Sequence, residues 1–312
     1  MGPIVPKLRR LAQSLLAAAA VVATAVTAWA ASSQTGTPVL ATRLNEENPA
    51  ASGAYFAYSQ NSRKHPGHYD AYVKNGQTRP VRVNAPRTQG WIGGISATTL
   101  VYQQVDKKRH SDLKFFDLAT RKRSDATGFN TRSWEWHPSI SGDWVLFGRS
   151  SPDVDYMILR SVSTARQIVL DKRTQAESSF DLAPGEVNGD YAAWTKCEKG
   201  TCTAYRYAIA EGLTTPLPPP PGKAHYAASV DAAGTVYVGR SGNGCGNGAE
   251  LWRYPLVGLP SLLLKLPRGQ DFRFTYATTG GTGATEVYYD RVVCRRKAWD
   301  VYKVVDSPGP TP

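Results

Sequence analysis

Aromatic side chains at equivalent positions of a repeated unit are the residues of this sequence best suited to bind a ligand. Trp91, Trp136 and Tyr226 each lie four residues before the apolar residue that opens one copy of the unit. Trp134 and His137 are neighbours of one of them in the sequence. Flat rings with a polar edge stack on sugars or peptides, so we predict an aromatic binding site here. The alternative is that these rings pack as core between the units, because large aromatic side chains are usually buried.

Three loops concentrate positive charge. The chain has 37 Lys+Arg and 25 Asp+Glu, a formal charge of +12. We predict that the loops lie together on the face of the aromatic site and bind an anionic partner, such as a cell-wall polymer, lipid head groups or an acidic glycan. Nucleic acid is disfavoured because the chain carries an export signal. The alternative is an ordinary solvated surface of a basic protein. The residues of this predicted patch are Arg63, Lys64, Lys107, Lys108, Arg109, Arg295, Arg296 and Lys297.

Motifs with a known catalytic mechanism are missing from the sequence. It contains no G-x-S-x-G, H-E-x-x-H or P-loop pattern, and no G-x-G-x-x-G after a strand. Asp153 and Asp155 lack the further ligands of a calcium loop. Glu47 and His137 lie near the aromatic positions, but two groups are too few to predict an enzyme. We therefore predict no catalytic residue, no metal and no cofactor; the alternative is an enzyme acting on glycans or lactones at this site.

The first 30 residues have the pattern of an export signal. Lys7, Arg9 and Arg10 form a basic region, an Ala/Val/Leu-rich stretch follows from Leu11 to Thr27, and Ala28-Trp29-Ala30 supplies the small residues that a signal peptidase needs. We predict cleavage after Ala30 and a secreted or periplasmic location. The alternative is a retained N-terminal membrane anchor.

Four cysteines in an exported chain indicate disulfides. Cys197 and Cys202 flank four residues of turn length and are predicted to face each other across a hairpin, which leaves Cys245 for Cys294. Four thiols allow three pairings, so the assignment stays open. A metal site is the alternative, but the sequence has no C-x-x-C motif and no nearby His pair.

The same unit recurs along the chain. A small or β-branched apolar residue is followed by Ser, Asn or Asp, by a small residue, and then by an alternating aromatic and aliphatic run. Five clear copies begin at positions 51, 95, 140, 187 and 230, and a degraded sixth ends in Val287-Tyr288-Tyr289. Such a period must be explained before any other feature, because it indicates a repeat architecture.

Each copy predicts four strands. Period-two alternation with turn signals every eight to twelve residues is typical of β-structure, and no helical period follows residue 30. Four strands in about 45 residues form the blade of a β-propeller. We predict an all-β, six-bladed propeller over residues 31–312, in which a strand at 38–44 completes the last blade beside 299–305. Two independent β-sandwiches are the alternative, against which the even repeat argues.

One copy carries a family resemblance. The segment 137–147, His-Pro-Ser-Ile-Ser-Gly-Asp-Trp-Val-Leu-Phe, resembles the TolB-like, WD-type propeller repeat, whose pattern is Pro-x-Trp-Ser-Pro-Asp-Gly before an apolar strand. Here Ser141-Gly142-Asp143 and Asn188-Gly189-Asp190 replace Ser-Pro-Asp-Gly. The resemblance covers about five of six units and implies a binding platform or, in some relatives, an enzyme. The small α/β domain that precedes the propeller in TolB has no room in this sequence.

These observations predict a secreted, non-catalytic and monomeric binding module for an extracellular or cell-envelope ligand. The ligand is expected to be a glycan, an anionic polymer or a protein, and no transmembrane span is expected after removal of the leader. A propeller enzyme at the aromatic site is the alternative. A structural component of an envelope complex is the third hypothesis.

Overall fold

Each repeat folds into one four-stranded antiparallel sheet, as the alternation of apolar and polar residues predicted. The computed structural model describes residues 36–65, 67–174, 180–199, 201–218, 224–241, 248–281, 283–295 and 298–307. In these ranges every regular element is a β-strand, and no helix is long and apolar enough to cross a membrane. The predicted leader, residues 1–30, lies outside the described residues.

We number the sheets as blades 1 to 6 in chain order. Blade 1 consists of β2 (Glu46–Ser52), β3 (Tyr55–Asn61), β4 (Tyr69–Asn75) and β5 (Val81–Arg82). Blade 2 consists of β6 (Gln89–Ser96), β7 (Thr99–Val105), β8 (Ser111–Asp117) and β9 (Arg123–Asp125). Blade 3 consists of β10 (Trp134–Ser141), β11 (Trp144–Ser150), β12 (Val154–Ser161) and β13 (Gln167–Thr174). Blade 4 consists of β14 (Phe180–Asn188), β15 (Tyr191–Glu198), β16 (Thr201–Ala208) and β17 (Leu213–Leu217). Blade 5 consists of β18 (Ala224–Val230), β19 (Val236–Ser241), β20 (Glu250–Tyr254) and β21 (Ser261–Lys265). Blade 6 combines both chain ends in β22 (Gln270–Thr279), β23 (Thr285–Val293), β24 (Ala298–Asp306) and β1 (Thr37–Leu40).

The six sheets form a closed ring. The first strand of each blade contacts the first strand of the next, and β22 contacts β2 to complete the circle. Within blade 6, β1 pairs antiparallel with β24, so that Thr37 lies opposite Lys303 and Leu40 opposite Val301. The prediction that the N-terminal strand completes the last blade is therefore confirmed.

Apolar side chains between neighbouring blades form the core. Val101 and Leu113 of blade 2, for example, pack in one buried cluster with Val145 and Phe147 of blade 3. Similar clusters join the other pairs of neighbouring blades. A single four-stranded sheet cannot cover both of its faces, and the radial arrangement buries them against the adjacent sheets.

Every inner strand carries the same irregularity. In all six described blades its pairing with the second strand skips one residue, which is a β-bulge. The extra residue lies within 48–49, 93, 137–138, 185, 226 and 273–274 of the successive blades. A bulge bends the strand and redirects the side chains beside it. In this propeller the bulges lie on the innermost strands, so they change the orientation of side chains around the central axis.

The two faces of the ring differ in what they carry. Each inner strand begins at the end where the second strand joins the third, and we call this end the pocket face. The opposite end carries the turns between the first two strands and those between the last two, and we call it the turn face. Trp134 opposite Ser150 marks the pocket face in blade 3, and Ser141 opposite Trp144 marks the turn face.

The cysteines follow the predicted pattern where the structure describes them. Cys197 and Cys202 lie opposite each other on β15 and β16 and form a disulfide. Cys294 is also disulfide-bonded. Its predicted partner, Cys245, lies outside the described residues.

Candidate functional site

A pocket of about 530 Å³ opens on the pocket face beside the central axis. Trp91, Trp134, Trp136 and His137 all line it, so the structure brings together four of the five residues predicted for the aromatic site. Blade 3 contributes more of the lining residues than any other blade. The side chain of Tyr226, the fifth predicted residue, lies outside the described residues. The other lining residues are Glu47, Gln103, Ser150, Asp155, Arg173, Leu182, Ala183, Arg273 and Phe274.

Trp136 is held flat against the neighbouring strand. A side chain at Gly148, directly opposite on β11, would place its Cβ 2.3 Å from the indole ring, so the glycine makes this orientation available. The indole Nε1 donates a hydrogen bond to Ser150 Oγ at 3.0 Å, which fixes the rotation of the ring. Trp134 stands beside it with 39% of its surface exposed. The two rings therefore present apolar area to solvent instead of packing between blades.

His137 and Phe274 form the floor of the pocket. Their ring centroids are 4.9 Å apart, and both residues belong to bulges of inner strands, in blades 3 and 6. His137 has φ of 42°, in the left-handed region, and its Nδ1 accepts a hydrogen bond from the side-chain amide of Asn48 at 3.3 Å. Burial, with a smaller effect from the positive charge of Arg273, lowers the pKa of His137 to about 4. The imidazole is therefore neutral at physiological pH.

Arg273 connects the floor with the rim. Its guanidinium lies over the rings of Phe274 and Trp299, at 5.2 and 4.5 Å from their centroids, and Nη1 lies 2.7 Å from Glu47 Oε2. Burial raises the pKa of the Glu47 carboxyl, and Arg273 opposes that rise. Tyr69 is hydrogen-bonded to the same carboxyl, and burial together with Glu47 raises its pKa to about 12. The glutamate is thus positioned by two partners.

A second ion pair lies on the blade 3 side of the pocket. Arg173 Nη1 and Asp155 Oδ2 are 3.6 Å apart, and both residues line the cavity. Each of the two carboxylates in this wall, Glu47 and Asp155, is thus engaged by an arginine. Fixed ion pairs of this kind orient polar groups of a ligand. An unpaired carboxyl would suit proton transfer better.

Buried polar groups close the channel below the floor. The backbone N–H of Asn48 donates to Asp290 Oδ2 at 3.2 Å, and the side chain of Asp290 is fully buried. Burial, together with the nearby charge of Glu47, raises the pKa of Asp290 well above its ordinary value. The cavity beneath His137 and Phe274 measures only about 40 Å³. The space below the floor is therefore much smaller than the pocket above it.

Residues of the sixth repeat were missed by sequence reasoning. Arg273 and Phe274 contribute an ion pair and a floor ring, yet neither was predicted, because the degraded copy lacks the apolar marker from which the offset is counted. The bulge in β22 is the signal common to all copies, and it is visible only in the strand pairing. Gln103 was also missed. Its side-chain oxygen accepts a hydrogen bond from the backbone N–H of His137 at 3.2 Å.

The basic loops lie on the pocket face, as their position between second and third strands predicted. Arg63 and Lys64 follow β3, Lys107 to Arg109 follow β7, and Arg295 follows β23; all of these residues are exposed. Blades 6, 1 and 2 are neighbours in the ring, so the loops occupy one sector. Arg296 and Lys297 lie outside the described residues. Binding of an anion by this sector remains a prediction.

Comparison with known proteins identifies the fold. No protein-family model and no curated protein matches the sequence. Among solved structures, TolB from Acinetobacter baumannii is similar at 17% identity and a TM-score of 0.53, over 82% of this chain and 64% of that one. A putative TolB from Agrobacterium tumefaciens is similar at 11% identity and a TM-score of 0.58, over 86% and 92%. The chain has the fold of TolB-like six-bladed propellers.

A peptidase domain shares this fold. The β-propeller domain of the Trilobed protease from Pyrococcus furiosus is similar at 8% identity and a TM-score of 0.52, over 88% of this chain and 95% of that one. That domain is described as having an open velcro topology, whereas β1 closes the ring here. The chain spans 64% of the length of the Acinetobacter TolB. Identities this low establish the fold and leave the function to the site.

Proposed function

We propose that this protein is an extracytoplasmic, non-catalytic propeller that binds an acidic glycan of the cell envelope in the pocket. The observation that carries the proposal is the set of tryptophans, Trp91, Trp134 and Trp136, which line an open pocket instead of the core. Indole faces stack on the C–H faces of sugar rings, and this contact supplies affinity without a buried charge. The structural disulfide Cys197–Cys202 and the predicted leader support a location outside the cytoplasm.

Charge on the pocket face supports an acidic ligand. Arg173 and Arg273 line the pocket, each beside its carboxylate partner, and we propose that their remaining N–H groups donate to a carboxylate or sulfate of the sugar. The exposed basic loops of blades 6, 1 and 2 lie in one sector of the same face and attract a polyanion over longer distances. We expect these loops to set the salt dependence of binding, and the tryptophans to set its specificity.

Calorimetric titration with defined oligosaccharides tests the proposal. Oligosaccharides derived from polygalacturonate, alginate and hyaluronate are the acidic probes, and neutral dextrin oligosaccharides are the comparison. The double substitution Trp134→Ala and Trp136→Ala is expected to weaken binding by about tenfold or more, because two stacking surfaces are lost. Leu213→Ala, an exposed residue on the turn face, is the matched control and is expected to bind like the wild type.

Two results would contradict the proposal. One is binding of neutral and acidic probes with equal affinity, or of neither. The other is wild-type affinity in the double tryptophan variant when circular dichroism shows it to be folded. Replacing the lysines and arginines of the loops at 63–64 and 107–109 by Ala is expected to reduce the dependence of affinity on salt while leaving stacking specificity intact.

A further inference from the structure

Large apolar side chains stand in solvent on the turn face. They lie in or beside the turns between the third and fourth strands of three consecutive blades. Val257 and Leu259 of blade 5 are 87% and 76% exposed, the highest values among the exposed large apolar side chains of the described residues. Leu256 of the same turn, Leu213 of blade 4 and Val162 of blade 3 are exposed as well. Single exposed apolar residues are ordinary, but a group on one face marks an interaction surface.

The turn of blade 5 is built to project these side chains. It connects β20 with β21 through Pro255-Leu256-Val257-Gly258-Leu259-Pro260. A proline at each end restricts the backbone, and Gly258 has φ of 109°, which a side chain rarely adopts. Val257 and Leu259 flank this glycine at the tip. Since the rest of blade 5 packs its apolar residues inward, the tip contributes nothing to the core.

The chain also enters the propeller from this face. β24 ends on the turn face, where Asp306 lies opposite Thr285, and β1 runs antiparallel to it from Thr37 opposite Lys303. The described chain therefore begins in blade 6 on the turn-face side, the face that also carries the exposed turn of blade 5.

We propose that the turn face rests on a lipid bilayer, with the tip of the β20–β21 turn inserted at its interface. Apolar side chains gain free energy when they leave water for the acyl boundary, and neighbouring turns add contacts of the same kind. Exposed cations on the outer turns of blades 1 to 3, Arg79, Arg121, Lys122 and Arg166, then lie at the level of the lipid phosphates. The pairing of apolar turn tips with cations on one face matches the acyl boundary and phosphates of a bilayer better than the surface of a protein partner. This orientation directs the pocket away from the membrane.

Flotation with neutral phosphatidylcholine vesicles tests the proposal. Neutral lipid removes the attraction of the basic loops on the pocket face, and the chain from residue 31 onward contains every described strand. We expect this chain to float with the vesicles at low and high salt. The double substitution Val257→Asp and Leu259→Asp is expected to lower the bound fraction at least about tenfold, since two apolar contacts are lost. Val169→Asp is the matched control, because Val169 is 50% exposed but belongs to the outer strand β13 and not to a turn.

Three outcomes would overturn this orientation. The first is a wild-type chain that stays at the bottom of the gradient, and the second is a double variant that floats like the wild type. The third is a dimer in light scattering that the double substitution dissociates, which would mean that a second copy covers the turn face. Loss of flotation in the double variant alone, with unchanged thermal unfolding, supports the bilayer contact. Glycan binding is read separately, so failure of one proposal leaves the other intact.

Discussion

His137 combines three features that rarely occur together in one side chain. It lies in a bulge with positive φ, its ring contacts that of Phe274 at a tilt of 35°, and its pKa is lowered to about 4. In the unfolded chain the imidazole recovers its ordinary pKa of about 6.5. Between these two values the unfolded state binds the proton and the folded state does not. Stability contributed by neutral His137 is therefore present above pH 6.5 and is lost as the pH falls toward 4.

The pH dependence of stability tests this assignment. We expect the free energy of unfolding of the wild type to fall, relative to that of His137→Asn, by up to about 3 kcal/mol between pH 6.5 and 4. Asparagine also tolerates positive φ, so the variant keeps the bulge and removes the titration. Urea unfolding of both proteins over this range is the measurement. The difference is required because buried Glu186 and Asp290, with raised pKa values, change stability in the opposite direction.

Parallel pH profiles for the two proteins would show that His137 is hydrated and charged in the folded state.

The tryptophans of the pocket could be predicted from the sequence because each lies at a fixed number of residues before the apolar residue that opens its repeat. The contact of Arg273 with Glu47 joins residues 226 positions apart, and no local pattern in the sequence reports it. The contacts of the Arg273 guanidinium with the rings of Phe274 and Trp299 could not be predicted from the sequence for the same reason.

The bulge of the inner strand is the element that builds the site. A bulge interrupts the backbone hydrogen bonds between the inner strand and the second strand of the blade. In three blades, a backbone N–H at or beside the bulge instead donates a hydrogen bond to a side chain on the second strand of the preceding blade. These pairs are Asn48 N–H with Asp290, Ile92 N–H with Ser59, and His137 N–H with Gln103. Polar residues on otherwise apolar strands are thereby explained: they satisfy the backbone that the bulge releases.

Asn48 gives this element a direct test. Its φ of 55° lies in the left-handed region, and its amide donates to His137. Both Asn48→Gly and Asn48→Ala remove that hydrogen bond, but only alanine carries the strain of a Cβ in this conformation. We expect the alanine variant to be less stable than the glycine variant by about 1–2 kcal/mol in urea unfolding. Equal stability of the two variants would mean that the bulge relaxes its conformation without cost.

Strands and turns were predictable, and the bulges were not. Alternation and the small residue before each apolar run identify the hairpins, because these are local signals. A bulge changes the register by one residue, and a sequence that alternates on both sides of it looks continuous. Residues 48–49 and 137–138 include prolines, which mark the irregular position in blades 1 and 3. In blade 2 the extra residue is Gly93, and its lack of a side chain admits the Pro138 carbonyl of the next blade.

At the scale of the whole molecule, we expect β1 to stabilise the propeller because it joins the two chain ends in blade 6. β1 supplies the outer strand of blade 6, and Val39 and Leu40 pack against the core shared by blades 6, 1 and 2. A chain that begins at residue 42 is expected to lose about 2 kcal/mol or more relative to one that begins at residue 31, because strand pairing and apolar burial are both removed. Thermal unfolding followed by circular dichroism is the measurement.

A chain that begins at residue 36 is the control and is expected to unfold like the longer one, since it retains β1. Identical melting temperatures of all three chains would show that the remaining strands hold the ring together without β1.

The number of blades could be predicted from the sequence because the repeat is regular and the degraded sixth copy still ends in a strand. The outer strand from the other chain end could be predicted because the sixth unit is one strand short.

The adjacent rings of His137 and Phe274 form a floor across the mouth of the propeller. If the proposed glycan binds there, its chain enters and leaves by the same opening instead of passing along the axis. The pocket would then hold a terminal unit or a branch, and the rest of the polymer would lie along the basic sector of blades 6, 1 and 2. The number of binding sites on a polymer would then depend on its number of chain ends and not on its length. Cleavage of one polymer into many fragments would therefore raise the number of binding sites at constant total mass.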